Sequence, residues 1–283
     1  MKILYHANCN DGMGAALAAW LYFYDTDDEQ DVEYIPVQYG NPPPDVTDEI
    51  VYILDFSYPR DVILQMATVA RDITIIDHHK TAQEALSEPF PDMWDEAPLC
   101  DVWVRFDMSK SGAVLTWEFF HKTDAPLLLR HIQDRDLWQF QLDGTKGVTK
   151  ALQIYPEWRK WARFIENENK IAELIAAGAA IDRYVDIQSQ GIIKNKPIAW
   201  DITGDVVPVY NLPGFMLSDT LHAALLAYPM APYAVGYFDL PSEGKRVYSL
   251  RSRSGEDVDV SVIAKKHGGG GHKHAAGFVV NHG

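Results

Sequence analysis

The stretch Ile73-Thr74-Ile75-Ile76-Asp77-His78-His79 is a short β-prone run that ends abruptly in an acid and two imidazoles. Branched residues without helical spacing read as a buried strand, and the polar triplet then falls at its carboxyl end. The same arrangement recurs toward the N-terminus. Lys2 to Tyr5 reads as a strand and leads into His6 and then Asp11, while Val51 to Leu54 reads as another and leads into Asp55. A further strand over Val32 to Gln38 and helical patterns over Gly14 to Tyr24 and Asp61 to Ala70 fill the intervals. Strands alternating with helices predict an α/β domain whose sheet is mostly parallel and flanked by helices. In such sheets ligands bind beyond the carboxyl ends of the strands, so His6, Asp11, Asp55, Asp77 and His78 become candidate site residues together.

Working in the other direction, Ser111-Gly112-Ala113 opens a more helical stretch that reaches Tyr155 and contains Asp134-Arg135-Asp136. Trp158 to about Ile192 reads as one long helical connector. The pattern restarts after Lys196-Pro197 with a strand over Val206 to Tyr210 and a helix over Leu217 to Ala227. A hairpin is expected to turn at Ser242-Glu243-Gly244, joining Tyr233 to Tyr237 with Arg246 to Arg251, before a helix over Val260 to Lys266. The expected division is therefore a larger α/β domain over 1–157, a helical connector over 158–196, and a smaller C-terminal α/β domain over 197–283.

Composition narrows the function. At 283 residues, 47% hydrophobic and 12% aromatic, the chain can build real cores, and disorder is excluded. The cysteines, Cys9 and Cys100, are too few for a disulfide framework. No apolar run approaches the ~20 residues that cross a bilayer. A cytoplasmic protein with no membrane association is expected. The net charge of −15 argues against holding long duplex nucleic acid through its phosphates. Positive charge is concentrated late: Lys245 to Lys273 carries seven Lys/Arg against three acids, so phosphate contacts belong there. That segment includes Gly268-Gly269-Gly270-Gly271-His272-Lys273-His274, where missing β-carbons let backbone N–H groups approach an anion while the imidazoles and ammonium add donors.

Cleaving a phosphodiester at neutral pH calls for an activated water and for neutralised charge on the phosphoryl group. Two cations about 3.5–4 Å apart supply both. His6, Asp11, Asp55, Asp77, His78 and Asp134 are the residues available to hold them, and mixed imidazole and carboxylate ligation suits manganese, iron, cobalt or zinc better than an all-oxygen magnesium site.

With His6 through Asp11-Gly12, Asp55, Asp77-His78-His79, Asp134 and the glycine run in that order, the chain resembles the DHH phosphoesterase superfamily with its C-terminal associated domain. The resemblance covers nearly the whole chain. It implies two divalent metal ions, manganese first, one held by His6, Asp11 and Asp55 or a subset of these and the other by Asp55, His78 and Asp134, with Asp55 bridging. It implies that Asp77 orients a histidine and that His79 faces the scissile phosphate. Asp136 is the alternative to Asp134. The chain departs from the family where many members carry Asp-x-Asp before the glycine, because Cys9 takes the first position; the thiol is either a ligand for a soft metal or a small buried residue. In the second domain the resemblance points to Arg251, Ser252, Gly270, Gly271, His272 and His274 as holding the terminal nucleotide, with Arg253 as an outward-facing neighbour. His272 and His274 could alternatively pair on a metal, and Trp138, Trp158 and Trp161 read as packing rather than as stacking surfaces.

The expected activity is release of mononucleotides from short single-stranded oligonucleotides. Cyclic mono- or dinucleotides are the rival substrates, a bisphosphate monoesterase is more distant, and a non-catalytic nucleotide-binding module is the alternative outside enzymes. A homodimer is compatible with the chain. No stable duplex binding is expected.

Overall fold

The computed structural model describes residues 1–24, 26, 31–90, 99–195, 197–201 and 206–281, without the side chains of 198–201. Lys196, the expected end of the connector, and the last two residues of the expected substrate-binding domain lie outside the described residues. The chain divides into two compact units, Met1–Asp182 and Arg183–Gly283.

The first unit is built on five parallel strands: β1 (Lys2–His6), β2 (Glu33–Val37), β3 (Ile50–Leu54), β4 (Asp72–Asp77) and β5 (Val102–Phe106), in spatial order β2-β1-β3-β4-β5. Alternation along the strands sends side chains to two faces. Leu4, Ile53 and Ile75 lie in one register row and enter one core with Ile63 and Met66 of α2 (Arg60–Ala67). Ile3, Leu54 and Ile76 enter the opposite core, against α1 (Asn10–Phe23) and a helix over Gly112–His121. Buried on both faces, these strands read as near-continuous apolar runs, which is why they were legible.

Three features depart from the sequence reading. Helix α1 begins at Asn10, not Gly14, which places Asp11 and Gly12 in its first turn. A short α3 (Lys80–Ala85) and strand β5 were not expected; β5 has no fully buried position, so it lacks the apolar signature of its neighbours. The helices α4 (Gly112–His121), α5 (Leu127–Asp136) and α6 (Thr145–Leu152) form the expected helical stretch, but the single connector does not exist. Trp158–Trp161 is a 3-10 turn, α7 covers Ala162–Glu166, and only Ile171–Lys194 is the long helix α8. Trp158, Trp161, Phe164, Ile171 and Leu174 are buried in the first unit's core. This corrects the expected boundary at 157: apolar side chains that large contribute more by burial in a core than in an exposed connector.

The second unit holds β6 (Ile198–Asp201), β7 (Val206–Asn211), β8 (Tyr233–Leu240), β9 (Lys245–Ser252), β10 (Gly270–His272) and β11 (Ala275–Asn281) in a sheet of order β10-β11-β9-β8-β7-β6. β7 and β8 run parallel and the other neighbours antiparallel. Helix α9 (Leu217–Ala227) packs on one face through Leu217, Leu221 and Leu225. Helix α10 (Val260–Lys266) packs on the other through Val260 and Ala264. Among the described residues no helix is long and apolar enough to cross a membrane.

Candidate active site

The first sheet reverses its order between β1 and β3, because the chain leaves β1 for β2 on one side and returns to β3 on the other. In open α/β sheets such a reversal leaves a crevice beyond the carboxyl ends. His6 ends β1 and Asp55 follows β3, so the two residues flank it. Asp55 turns the chain with a left-handed φ of 55°, a conformation that aspartate adopts more readily than most side chains. Its carboxylate is 1% exposed and divides its oxygens: Oδ2 lies 3.5 Å from His6 Nδ1, and Oδ1 lies 3.2 Å from His78 Nε2.

Asp11 belongs with the His78 side. Its Oδ2 is 3.5 Å from His78 Nε2, and the carboxylate accepts the amides of Gly112 at 2.6 Å and Ala113 at 3.0 Å. Those N–H groups open α4, where an anion is favoured by the unpaired donors and the helix dipole. Position 112 must be glycine for this approach, because a β-carbon there would sit 2.5 Å from that of Asp55. The pairing of Asp11 with His6 expected from the resemblance is thus corrected. Ligand-type atoms gather within 4.8 Å as His6, Cys9 and Asp55 on one side, as Asp11, Asp55 and His78 on the other, and as Asp55, Asp77 and His79 beside them. Asp55 is common to all three.

Asp77 is fully buried, and both its oxygens are engaged. Oδ1 accepts the backbone amides of His78 at 2.7 Å and His79 at 3.2 Å and lies 2.7 Å from His79 Nδ1; Oδ2 accepts the Ser57 hydroxyl at 2.7 Å. Although burial pushes the Asp77 carboxyl upward, His79 together with His78 holds the group below its ordinary range. An ionised Asp77 therefore fixes His79 with its proton on Nδ1.

Asp134 does not reach the cluster. Its oxygens accept Gln141 N at 2.7 Å, Leu142 N at 3.0 Å and the Thr145 hydroxyl at 2.5 Å, which pins the loop between α5 and α6. That loop needs pinning, since Trp138 and Phe140 hold left-handed φ values of 58° and 52°. Asp136, two residues on and at the end of α5, places Oδ2 3.5 Å from His78 Nε2. The preference for Asp134 is corrected to Asp136: successive helical residues point in different directions, and the residue with spare oxygens faces the imidazole. Tyr39 was also missed. The residue is 48% exposed, yet its ring edges against His6 at 5.5 Å and His79 at 6.2 Å and meets Phe56 at 4.6 Å. A lone tyrosine in a loop carries no sequence signal.

The donor set fits divalent cations. Asp11, Asp55 and Asp77 are buried within one cluster, an arrangement that is costly without compensating positive charge. Burial, and then Asp55 and Asp136, push the Asp11 carboxyl well above its usual range. Burial alone would lower His6 and His78, yet Asp55, joined at His78 by Asp136, drives both upward. Apart from these ion pairs, His6 Nδ1 and Asp55 Oδ1 are buried without a hydrogen bond among the described residues. Both are ligand atoms.

In the second unit Arg251, Ser252 and the β10–β11 turn meet at one end of the sheet, where Arg251 pairs with Ala275. Arg251 donates to Ser218 Oγ at 2.9 Å and to the Leu250 carbonyl at 2.8 Å. Ser252 donates its hydroxyl to the Val258 carbonyl and lies 2.9 Å from His274 Nδ1, which must then carry the proton. The glycine run is shaped by the backbone as much as by any ligand. Gly268, at φ 76°, ends α10 in a Schellman arrangement in which Gly268 N donates to Lys265 and Gly269 N to Ala264. At Gly271, φ 137°, a β-carbon would lie 2.6 Å from the Ala275 carbonyl oxygen. Gly270 and His272 belong to β10, and His274 to the turn after it. Arg253 is a brace: it donates to the carbonyls of Leu225, Tyr228 and Ala231 around the end of α9.

No protein-family model matches the chain. It is 31% identical over 292 residues to the uncharacterized protein R106 of Acanthamoeba polyphaga mimivirus, covering 98% of this chain and 66% of that protein, just under two thirds of its length. Among solved structures it is similar to RecJ from Thermus thermophilus in complex with Mn2+, with a TM-score of 0.50, 11% identity, and coverage of 98% of this chain and 49% of that one. It is also similar to PggH, a pGpG-specific phosphodiesterase from Vibrio cholerae, with a TM-score of 0.44 and 12% identity over 99% of this chain and 93% of that one. At that level of identity the likeness to RecJ is one of fold.

Proposed function

We propose that the chain is a metal-dependent phosphodiesterase that hydrolyses short single-stranded oligonucleotides, releasing mononucleotides. The observation that carries the reading is Asp55, a buried carboxylate shared by three clusters of ligand atoms at the strand ends. His6 and Asp55 on one side, and Asp11, Asp55, His78 and Asp136 on the other, are the residues that would hold two divalent ions. Manganese suits the imidazole and carboxylate donors of the His78 side. Bound there, such ions supply charge neutralisation at the phosphoryl group and a water of lowered pKa.

The protein's own groups set up the rest. Asp55 connects the two sides. Asp77 locks His79 through Nδ1, so proton exchange with a substrate runs through Nε2. The amides of Gly112 and Ala113 hold Asp11 in place through both its oxygens. In the second unit Arg251 offers a guanidinium fork, and the β10–β11 turn offers backbone amides, to a terminal phosphate. The acidic remainder of the chain repels a long polyanion, which favours substrates of a few nucleotides.

The test is product analysis, with and without Mn2+, on RNA and DNA strands of graded length alongside cyclic dinucleotides, cyclic AMP and nucleoside bisphosphates. Metal-dependent mononucleotide release that favours the shortest strands is expected. Turnover confined to cyclic substrates or to bisphosphates would overturn the substrate, and binding without turnover under any metal would overturn the enzyme.

A further inference from the structure

The geometry points to Cys9 as a thiolate ligand that makes the His6 side of the centre selective for a thiophilic divalent ion such as zinc, leaving the centre chemically asymmetric. This rests on the metal-centre reading above and deepens it. Helix α1 starts directly after Cys9, which has the extended φ of −127° and ψ of 136° of an N-cap. Serine, threonine, aspartate and asparagine are favoured there because a side-chain oxygen can accept an amide of the first turn. Cys9 makes no such bond. Its Sγ instead points at Asp55 Oδ2, at 3.9 Å.

Asn8, just before it, adopts a left-handed φ of 58°, which turns the chain sharply between β1 and α1. Packing does not explain the residue. Cys100 packs against an apolar core, whereas Cys9 is part of neither core of the first unit among the described residues. The local donor count gives the chemical reason. Asp11 is committed to the His78 side by the amides of Gly112 and Ala113, so His6 and Asp55 are joined by sulfur as third donor, with all three ligand atoms within 4.8 Å. Independently of the cysteine, His6 Nδ1 is a buried atom without a hydrogen bond and lies 3.5 Å from Asp55 Oδ2, the same oxygen that Cys9 Sγ faces, on a carboxylate only 1% exposed.

An imidazole, a carboxylate and a thiolate form a set that zinc and cobalt accept and that manganese and magnesium disfavour. The His78 side, with only nitrogen and oxygen donors, has no such bias. On binding, the thiol proton passes to solvent and the sulfur lone pair to the metal; nothing is oxidised or reduced.

The experiment titrates the metal-stripped full chain with Co2+ and reads the sulfur-to-cobalt charge-transfer absorption, with Zn2+ and Mn2+ as competitors. One sulfur-bonded cobalt per chain is expected, displaced by Zn2+ at far lower concentration than by Mn2+. The band should vanish in Cys9→Ser and in Cys9→Asp and persist in Cys100→Ser, while Cys9→Asp should lower the preference for zinc over manganese at least tenfold. In the unmutated chain, Zn2+ should block alkylation of Cys9 and Mn2+ should not. Cobalt bound with only ligand-field bands, or a band that survives in both Cys9 variants, overturns the assignment and leaves the metal centre standing. No cobalt bound by any variant overturns the centre itself.

Discussion

The two units handle polar residues in opposite ways. In the first, carboxylates and imidazoles are drawn into the interior: Asp11, Asp55, Asp77 and His78 are each no more than 1% exposed. In the second, Arg251, His272 and His274 are only partly buried, around a turn that the backbone already has reason to make. Burying charge is tolerated only where something returns the lost hydration, and at the strand ends that is mutual pairing, joined under the proposed function by a cation. A surface that binds a phosphate transiently needs no such compensation. The difference predicts that damage to the first unit removes chemistry and that damage to the second weakens binding.

The sharpest way to break that contrast is Asp55→Asn. Asparagine is isosteric and tolerates the left-handed backbone at this position, so the fold should persist, as circular dichroism would show. Metal binding by calorimetry should collapse and turnover fall on the order of 10^4-fold, since residues that act as one unit lose most of their effect when any member goes. An Asp55→Asn chain that still turns over substrate would remove the central claim about the cluster.

A paired change sharpens the contrast within the first unit. Asp136→Asn should weaken metal binding about 10- to 100-fold, with a thermal midpoint close to that of the unmutated chain. Asp134→Ala should do the reverse. It strands the amides of Gln141 and Leu142 and the Thr145 hydroxyl, at a cost of about 3 kcal/mol in stability, with metal affinity unchanged once the chain is folded. Equal effects from the two substitutions would mean that the loop and the cluster are not separate.

This pair also shows where the sequence runs out. Strand ends are legible because a parallel strand buried on both faces announces itself as an apolar run, and whatever follows it must lie at the carboxyl edge. That reasoning places His6, Asp55, Asp77 and His78 by topology alone. It says nothing about which of two aspartates near the end of a helix faces inward, since that depends on the phase of α5 and on the loop that folds back over Asp134. Nor does it assign Asp11 to a side, which is decided by two amides of α4 about 100 residues away in the chain. The glycine run misleads in a similar manner: Gly268 and Gly271 are demanded by a helix end and a tight hairpin, so four glycines are weaker evidence for an anion cradle than they look. Trp158 and Trp161 conform to the packing reading, while their membership of the first unit's core was hidden by their distance from its sheet in sequence.

For the second unit the informative substitution is Arg251→Ala. It should raise KM about tenfold for a substrate with a terminal phosphate and leave kcat within about twofold, the signature of a contact made equally in the ground and transition states. Arg253→Ala should instead lower the thermal midpoint, because its guanidinium holds three carbonyls at the end of α9. A fall in kcat with unchanged KM for Arg251→Ala would move that arginine into the chemistry and erase the contrast between the units.

The smallest effect is a pH dependence, and its sign separates a proton-filled cluster from a metal-filled one. In the metal-free chain Asp55 raises His6 and His78 above the ordinary imidazole value of 6.5, even though burial opposes it. Groups raised on folding stabilise the folded chain fully below their unfolded pKa, and that contribution is lost as pH rises through the folded value. Metal binding requires the same imidazoles neutral, so each proton displaced costs binding about 1.4 kcal/mol per pH unit below the folded pKa. The increase in thermal midpoint on adding Mn2+ should therefore grow as pH is raised above the ordinary imidazole value of 6.5, while the His6 and His78 contribution to the metal-free chain shrinks as pH passes through their raised values. His78→Gln should flatten the growth. A Mn2+-induced shift independent of pH would mean that neither imidazole gives up a proton to the metal, and would leave the strand-end cluster as an ion-pair network with no more claim to chemistry than the basic turn of the second unit.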